Sequence, residues 1–136
     1  MKILVDTNVI LDVLCAREGF VESSSKVWKY CETGLVSGYI SALSVPNIVY
    51  ILRKELDAQK TKEIIKQIGL IFSVADLTAD DLKKAAEMSF NDYEDALQVA
   101  CAKRIQAECI ITRNIKDFAG SPIPVKLPSE FFIDIK

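Results

Sequence analysis

Short apolar runs alternate with amphipathic stretches along the whole chain, and that alternation restricts the fold more than any other feature of the sequence. The runs are Ile3–Val5, Tyr39–Ser41, Leu70–Val74, Cys109–Ile111 and Pro124–Lys126. Between them, helical spacing predicts helices over Asn8–Cys15, Val21–Glu32, Ser44–Leu56, Thr61–Ile68, Thr78–Met88 and Asp92–Gln106. Gly34 is expected to stop the second helix and Gly69 the fourth, and Pro46 is tolerated in the first turn of the third. In the fifth helix Leu82, Ala85 and Ala86 are expected to face inward, and Pro128–Phe132 to close the chain as a short helical turn. Strands this short and this uniformly apolar are buried on both faces. The expected fold is therefore α/β: a three-layer α/β/α sandwich with a central, mostly parallel sheet. At 136 residues, with no linker, repeat or low-complexity tract, the chain reads as one domain spanning residues 1–136.

Composition removes several kinds of chemistry. There is no histidine, which excludes Ser-His-Asp triads, Cys-His pairs and histidine-based zinc sites. Cys15, Cys31, Cys101 and Cys109 form no Cys-x-x-Cys pair and read as buried, reduced thiols. A net charge of −2 argues against strong, charge-driven nucleic-acid binding but leaves room for an enzyme that contacts nucleic acid briefly. The start at Met1-Lys2 runs straight into an apolar strand with no secretory leader, and the stretch Tyr39–Leu52 is too short and too polar to span a bilayer. A cytoplasmic protein without membrane contact is expected. The apolar helices between Val21 and Leu56 carry more hydrophobic surface than one short sheet covers, so a homodimer is expected too.

In parallel sheets, ligands sit beyond the carboxyl ends of the strands. That directs attention to Asp6, Ser41 and the segment Thr112–Asn114. Asp6 closes the first strand, where it either caps the following helix or points into a site. Asp92 and Asp95 lie on one face at the start of the strongest helix. Asp92 is better explained as that helix's cap, whereas Asp95 lies beside the apolar stripe and is expected to face a half-buried site; Glu94 is expected to point elsewhere. Thr112, Asn114 and Asp117 follow the fourth strand as capping or ligating groups. Three element ends supplying hard oxygens suit Mg²⁺ or Mn²⁺. With no histidine present, metal-activated water is the most economical hydrolytic mechanism. Arg53, Lys54, Arg113 and Lys116 near the expected mouth are candidates for phosphate contact, though each is also an ordinary surface charge.

Four segments in order resemble the PIN-domain family of metal-dependent ribonucleases. ILVDTNVILDVL is similar to the family's first strand with its leading aspartate, and ISALSVPNIVYILRK to its second strand and following helix. NDYEDALQVACAKRIQAECIITRNIKDF is similar to the acidic helix, fourth strand and Thr-x-Asn/Asp motif, and IPVKLPSEFF to the closing strand. The resemblance spans nearly the whole chain. It implies a PIN-like sandwich, a pocket for Mg²⁺ or Mn²⁺, RNA as substrate and, as in VapC-like toxins, an antitoxin partner. Carried over, Asp6 is the first metal carboxylate and Asp95 the third-position one, assisted by Asp92. Asn114 and Asp117 occupy the last acidic region, and Thr7, Asn8 and Thr112 orient ligands and waters. At the second acidic position, where the family usually has Glu, this chain has Asn47, and the fourth position is Asn114. An amide offers a carbonyl oxygen but no charge. Two readings follow: a metal-dependent endoribonuclease of the toxin type, or a PIN-fold RNA- or protein-binding module with little catalysis.

Overall fold

The computed structural model describes residues 1–90 and 92–133. Five parallel strands form one sheet in the order β3-β2-β1-β4-β5. They are β1 (Lys2–Val5), β2 (Ser37–Ser41), β3 (Ser73–Ala75), β4 (Cys109–Ile111) and β5 (Val125–Lys126). The helices are α1 (Thr7–Leu14), α2 (Val21–Glu32), α3 (Ser44–Leu52), α4 (Ala58–Ile71), α5 (Ala79–Glu87) and α6 (Tyr93–Arg104).

The pleat of the central strands sorts the core into two layers. Ile3, Val5, Cys109 and Ile111 face a cluster that includes Val9 and Ile10 of α1, Val27 of α2, Ile48 and Leu52 of α3 and Ile68 of α4. Leu4 and Ile110 face the opposite way, onto Val99, Cys101 and Ala102 of α6. This is the α/β/α sandwich, and it explains why Ile3–Val5 and Cys109–Ile111 read as unbroken apolar runs: both faces of these segments are buried. α6 is buried at every position from Ala96 to Ala102, as a helix wedged between the sheet and α5 must be.

Several local expectations are corrected. Gly69 does not end α4; the helix runs on to Ile71, so Leu70 is helical and 87% exposed rather than part of a strand. A helical glycine costs about 1 kcal/mol, and the burial of Ile68 and Phe72 on either side outweighs it. The helix also begins earlier, because Asp57 caps it by accepting from the Lys60 amide at 2.8 Å. α3 stops at Leu52, short of Leu56. In α5 Leu82 and Ala86 are exposed, and the inward positions are Ala85 and Asp81. A buried aspartate is stable there because the Arg104 Nε of α6 donates to both its oxygens at 3.1 Å. The four cysteines are free; burial pushes the Cys31 thiol up to about 12 and that of Cys101 up to about 11, which leaves them inert at neutral pH. Gly38 of β2 permits a close approach, since a Cβ there would stand 2.4 Å from the Cys31 sulfur and 3.0 Å from the Phe72 ring. Among the described residues no helix is long and apolar enough to cross a membrane.

The sheet grows from β1 in one direction through β2 and β3, and in the other through β4 and β5. The carboxyl ends of β1 and β4 therefore flank the point where the strand order reverses, where a crevice opens in folds of this kind. The Asp6 amide, donating to the Ile111 carbonyl at 2.9 Å, sets the two strand ends side by side.

Candidate functional site

A cavity of about 460 Å³ lies at this crevice. Asp6, Thr7 and Asn8 reach it from the β1–α1 junction, and Ser44 and Asn47 from α3. The start of α6 contributes Asp92, Glu94, Asp95 and Gln98, and the segment after β4 contributes Asn114 and Asp117. The three acidic element ends singled out in the sequence thus open onto one space. Glu94, expected to point away, lines the cavity with them.

Asp6 is both cap and site residue. Its Oδ1 accepts from the Thr7 amide at 2.7 Å and from Gln98 Nε2 at 3.0 Å, and its Oδ2 accepts from Thr112 Oγ1 at 2.7 Å. Thr112 is tied in turn by the Asn114 amide at 3.1 Å, while the Asn8 side chain makes longer contacts to Thr112 and the Arg113 amide. Thr7 donates to the Ser44 hydroxyl at 2.7 Å, linking α1 to α3. Asp92 caps α6 by accepting from the Glu94 amide at 2.8 Å while also facing the cavity. Ser41 lies outside the cavity wall; its hydroxyl accepts from the Leu43 amide at 3.2 Å.

The carboxylates crowd one another. Burial raises the Asp6 carboxyl above its ordinary range despite the hydrogen bonds from Thr112, Thr7 and Gln98, and the charge of Asp117 adds to the rise. Asp95 is pushed up to about 7, first by burial and then by the charges of Asp92, Asp6, Asp117 and Glu94. Among the described residues, five carboxylates share the cavity and Arg17 is the one basic residue lining it. Such an excess of negative charge favours either protons or a cation.

The donor set is hard oxygen throughout, as Mg²⁺ and Mn²⁺ require. Among the described residues, no three His, Cys, Asp or Glu side chains stand close enough together to hold one ion. A pair of carboxylates supplemented by amide oxygens and water remains sufficient for these ions, which part with few of their waters. The oxygen donors on the cavity wall include Asp6, Asp92, Asp95 and Asp117, with Asn47 and Asn114 as neutral ones.

Arg113 does not line this cavity. Its Nε donates to Asp12 Oδ2 at 2.8 Å and its guanidinium stacks over Phe20 at 4.0 Å. Asp12 is fully buried in α1 and is also held by Ser24 Oγ at 3.0 Å and by Arg17 at 3.5 Å. This cluster anchors the segment that carries Thr112 and Asn114. Of the other basic residues, Lys116 borders a smaller pocket shared with Asp92, Asp95 and Asp117. Lys54 lies 4.8 Å from the ring of Tyr50, which is 66% exposed on the cavity rim, and Arg53 is exposed at the end of α3. Gln98, Ser44, Arg17 and Tyr50 were not singled out in the sequence. Gln98 sits one helical turn beyond Asp95, a spacing that could have drawn attention to it.

The family model described as PIN domain matches residues 2–116. No curated protein matches the sequence. Among solved structures, a chain of FitAB bound to an IR36 DNA fragment has a TM-score of 0.74 at 22% identity, with 96% of this chain and 98% of that chain covered. A chain of a toxin–antitoxin complex from Klebsiella pneumoniae has a TM-score of 0.71 at 23% identity, with 94% and 98% covered. VapC20 of Mycobacterium tuberculosis, described as a sarcin–ricin loop cleaving toxin, has a TM-score of 0.63 at 16% identity, with 79% and 86% covered.

Proposed function

This chain belongs to the PIN-domain family, and from that premise we propose that it is a divalent-metal-dependent endoribonuclease acting in the cytoplasm as the toxin of a toxin–antitoxin pair. One observation carries the reading: among the described residues, five carboxylates and a single arginine line the cavity at the sheet's switch point. A polyanionic substrate is repelled from such a site unless a cation intervenes, and hard oxygens select Mg²⁺ or Mn²⁺. When bound, the ion would supply charge neutralisation and lower the pKa of water for attack on phosphorus. The overall reaction adds water across a P–O bond, leaving a phosphate on one product end and a hydroxyl on the other.

The residues divide the remaining work. Asp6, held by three donors, presents a fixed carboxylate in which Oδ2 keeps a lone pair free. Asp95 adds the second carboxylate, and Asp92 and Asp117 deepen the negative potential. Thr112 and Asn8 keep the β4 end against β1. Arg17 is placed to contact a substrate phosphate, and the exposed ring of Tyr50 offers a stacking surface to an unpaired base. The neighbour described as a toxin–antitoxin complex supports an antitoxin protein as partner, and exposed Leu35 and Tyr50 supply apolar surface for it or for a homodimer.

A specific feature favours the alternative of a binding module: Asn47 and Asn114 bring no charge to the cavity wall. The two readings separate in one assay. Removing a unit of charge beside a divalent ion costs affinity on the order of 1 kcal/mol or more, so the wild type is expected to cleave a mixed RNA pool slowly and to need high Mn²⁺. Asn47→Glu is expected to shift the Mn²⁺ requirement about tenfold lower and to raise the rate, and adding Asp95→Asn to abolish that gain. An unchanged Mn²⁺ dependence in folded Asn47→Glu would remove Asn47 from the site. No cleavage by any variant would favour the binding module.

A further inference from the structure

Two arginines share one buried carboxylate, and they open onto two different cavities. Asp12 of α1 is fully buried; Arg113 Nε donates to its Oδ2 at 2.8 Å, and the Arg17 guanidinium lies 3.5 Å from its Oδ1. Neither arginine forms an ion pair with any other carboxylate among the described residues. One negative charge thus faces two positive ones, and a unit of positive charge is left unanswered. Arg17 lines the acidic cavity. Arg113 lines a second cavity of about 220 Å³, between the start of α2 and the 3₁₀ turn Pro128–Glu130.

Neighbouring side chains fix the Arg113 guanidinium at that second wall. It stacks over the Phe20 ring at 4.0 Å, and Ser24 Oγ donates to the same Asp12 oxygen that it does. Phe20 and Ser24 both line the cavity. Asp12 takes up the Nε–H alone. The other four N–H donors of a guanidinium form a fork that grips phosphate two bonds at a time. The Arg113 side chain is 23% exposed, so a ligand can reach it. Ser23 and Ser129 add hydroxyl groups to the wall, and among the described residues no carboxylate lines it. Glu22 and Glu130 adjoin wall residues in sequence without forming part of the wall. In charge this is the reverse of the acidic cavity.

We propose that this second cavity is a phosphate subsite: Arg113, with Ser23 and Ser129, binds a phosphodiester of the RNA strand near the one that is cleaved. The inference rests on the ribonuclease reading above and adds to it a foothold outside the acidic cavity. The two sites are joined through the chain, because Arg113 stands between Thr112, which donates to Asp6, and Asn114 on the acidic wall. They are also joined through Asp12, which lies within ion-pair distance of Arg17 and Arg113 and so keeps the two cations close enough for one strand to touch both. Phosphate contacts position a nucleic acid rather than read its sequence. A protein of net charge −2 with an acidic cavity gains its hold on a polyanion here.

The first test uses inorganic phosphate in EDTA, where the acidic cavity repels anions. Phosphate is expected to shift the NMR signals of the Arg113 Nε–H and of the Phe20, Ser23 and Ser129 amides, and to leave those of Asn47 and Gln98 in place. Ser129 is exposed, so Ser129→Asp sets a carboxylate in the wall without touching the pairs on Asp12. It is expected to weaken phosphate binding at least about tenfold, whereas the uncharged Ser129→Asn retains most of it; circular dichroism checks the fold of both. Wild-type affinity in Ser129→Asp, or shifts spread equally over both cavities, overturns the proposal. Crystals soaked in tungstate, a tetrahedral oxyanion located by anomalous scattering, separate ligation from proximity. An oxygen of the ion is expected within hydrogen-bond distance of an Arg113 Nη, and an ion seated elsewhere overturns the assignment. A short single-stranded RNA in EDTA is then expected to displace the phosphate. If it does not, the cavity takes free phosphate only and the RNA subsite is overturned. If the RNA does displace phosphate but the wild type cleaves none in Mn²⁺, the ribonuclease reading fails while the phosphate site stands.

Discussion

Asp95→Asn is expected to make the metal-free protein more stable at pH 8 while removing its response to divalent ions. In the folded protein burial and the charges of Asp92, Asp6, Asp117 and Glu94 push the Asp95 carboxyl up to about 7. In the unfolded chain it titrates near its ordinary value of about 3.9. The native state therefore binds this proton more tightly than the unfolded state does. The associated stability is fully present below about pH 4 and is lost as pH rises through about 7. A shift of this size in a sealed interior would correspond to about 4 kcal/mol. Asp95 is half-buried, and solvent screening reduces the effect to about 1–2 kcal/mol. Thermal melts in EDTA should show the variant above the wild type at pH 8 and level with it at pH 4. Addition of Mn²⁺ should reverse the order at pH 8, because the wild type gains from binding and the variant does not. Equal melting at every pH would contradict the crowding of charge at this site.

The largest loss of stability outside the hydrophobic core is expected at Asp12. It is fully buried, and its charge is answered by Arg113 at 2.8 Å, Ser24 at 3.0 Å and Arg17 at 3.5 Å. Breaking a buried ion pair from one side costs about 3–5 kcal/mol, because the partner is left uncompensated. Here both arginines reach solvent in part, so about 2–3 kcal/mol is expected for Asp12→Ala in urea denaturation. Arg113 lies between Thr112 and Asn114, so the segment that fixes Asp6 should loosen as well and Mn²⁺ binding should weaken with stability. Replacing both partners, as Asp12→Ala with Arg113→Met, should recover much of the loss. If the double variant is no more stable than Asp12→Ala, the pairing is not what holds Asp12 in place.

The two clusters also show where sequence reasoning ends. β4 and α2 were legible to the residue, because a β-branched run and a strong helical period are local signals. Asp6, Asp92, Asp95 and Asp117 were legible as candidates because each stands at an element end beyond the sheet, although a carboxylate there also serves as a helix cap, as Asp6 and Asp92 do. Gly69 is a local stop signal, but packing on both sides of it carries α4 through to Ile71. Apolarity favours Leu82 as inward, yet the inward position belongs to Asp81, whose partner Arg104 lies 23 residues away. Gln98 and Asp12 were hidden for the same reason at longer range. Their partners Asp6 and Arg113 are 92 and 101 residues distant, and no local pattern marks a polar residue that is buried because something far along the chain satisfies it.

On the proposed reading, the cavity around Asp6 and Asp95 holds a divalent ion that drives hydrolysis of RNA. The most direct measurement is cleavage of a mixed single-stranded RNA pool by purified wild type and Asp6→Asn, each in Mn²⁺ and in EDTA, with products resolved by end chemistry. Cleavage by the wild type in Mn²⁺ alone, giving phosphate and hydroxyl ends, with loss of at least about 100-fold in Asp6→Asn, is the expected result. Cleavage that persists in EDTA, or that Asp6→Asn retains in full, would contradict it.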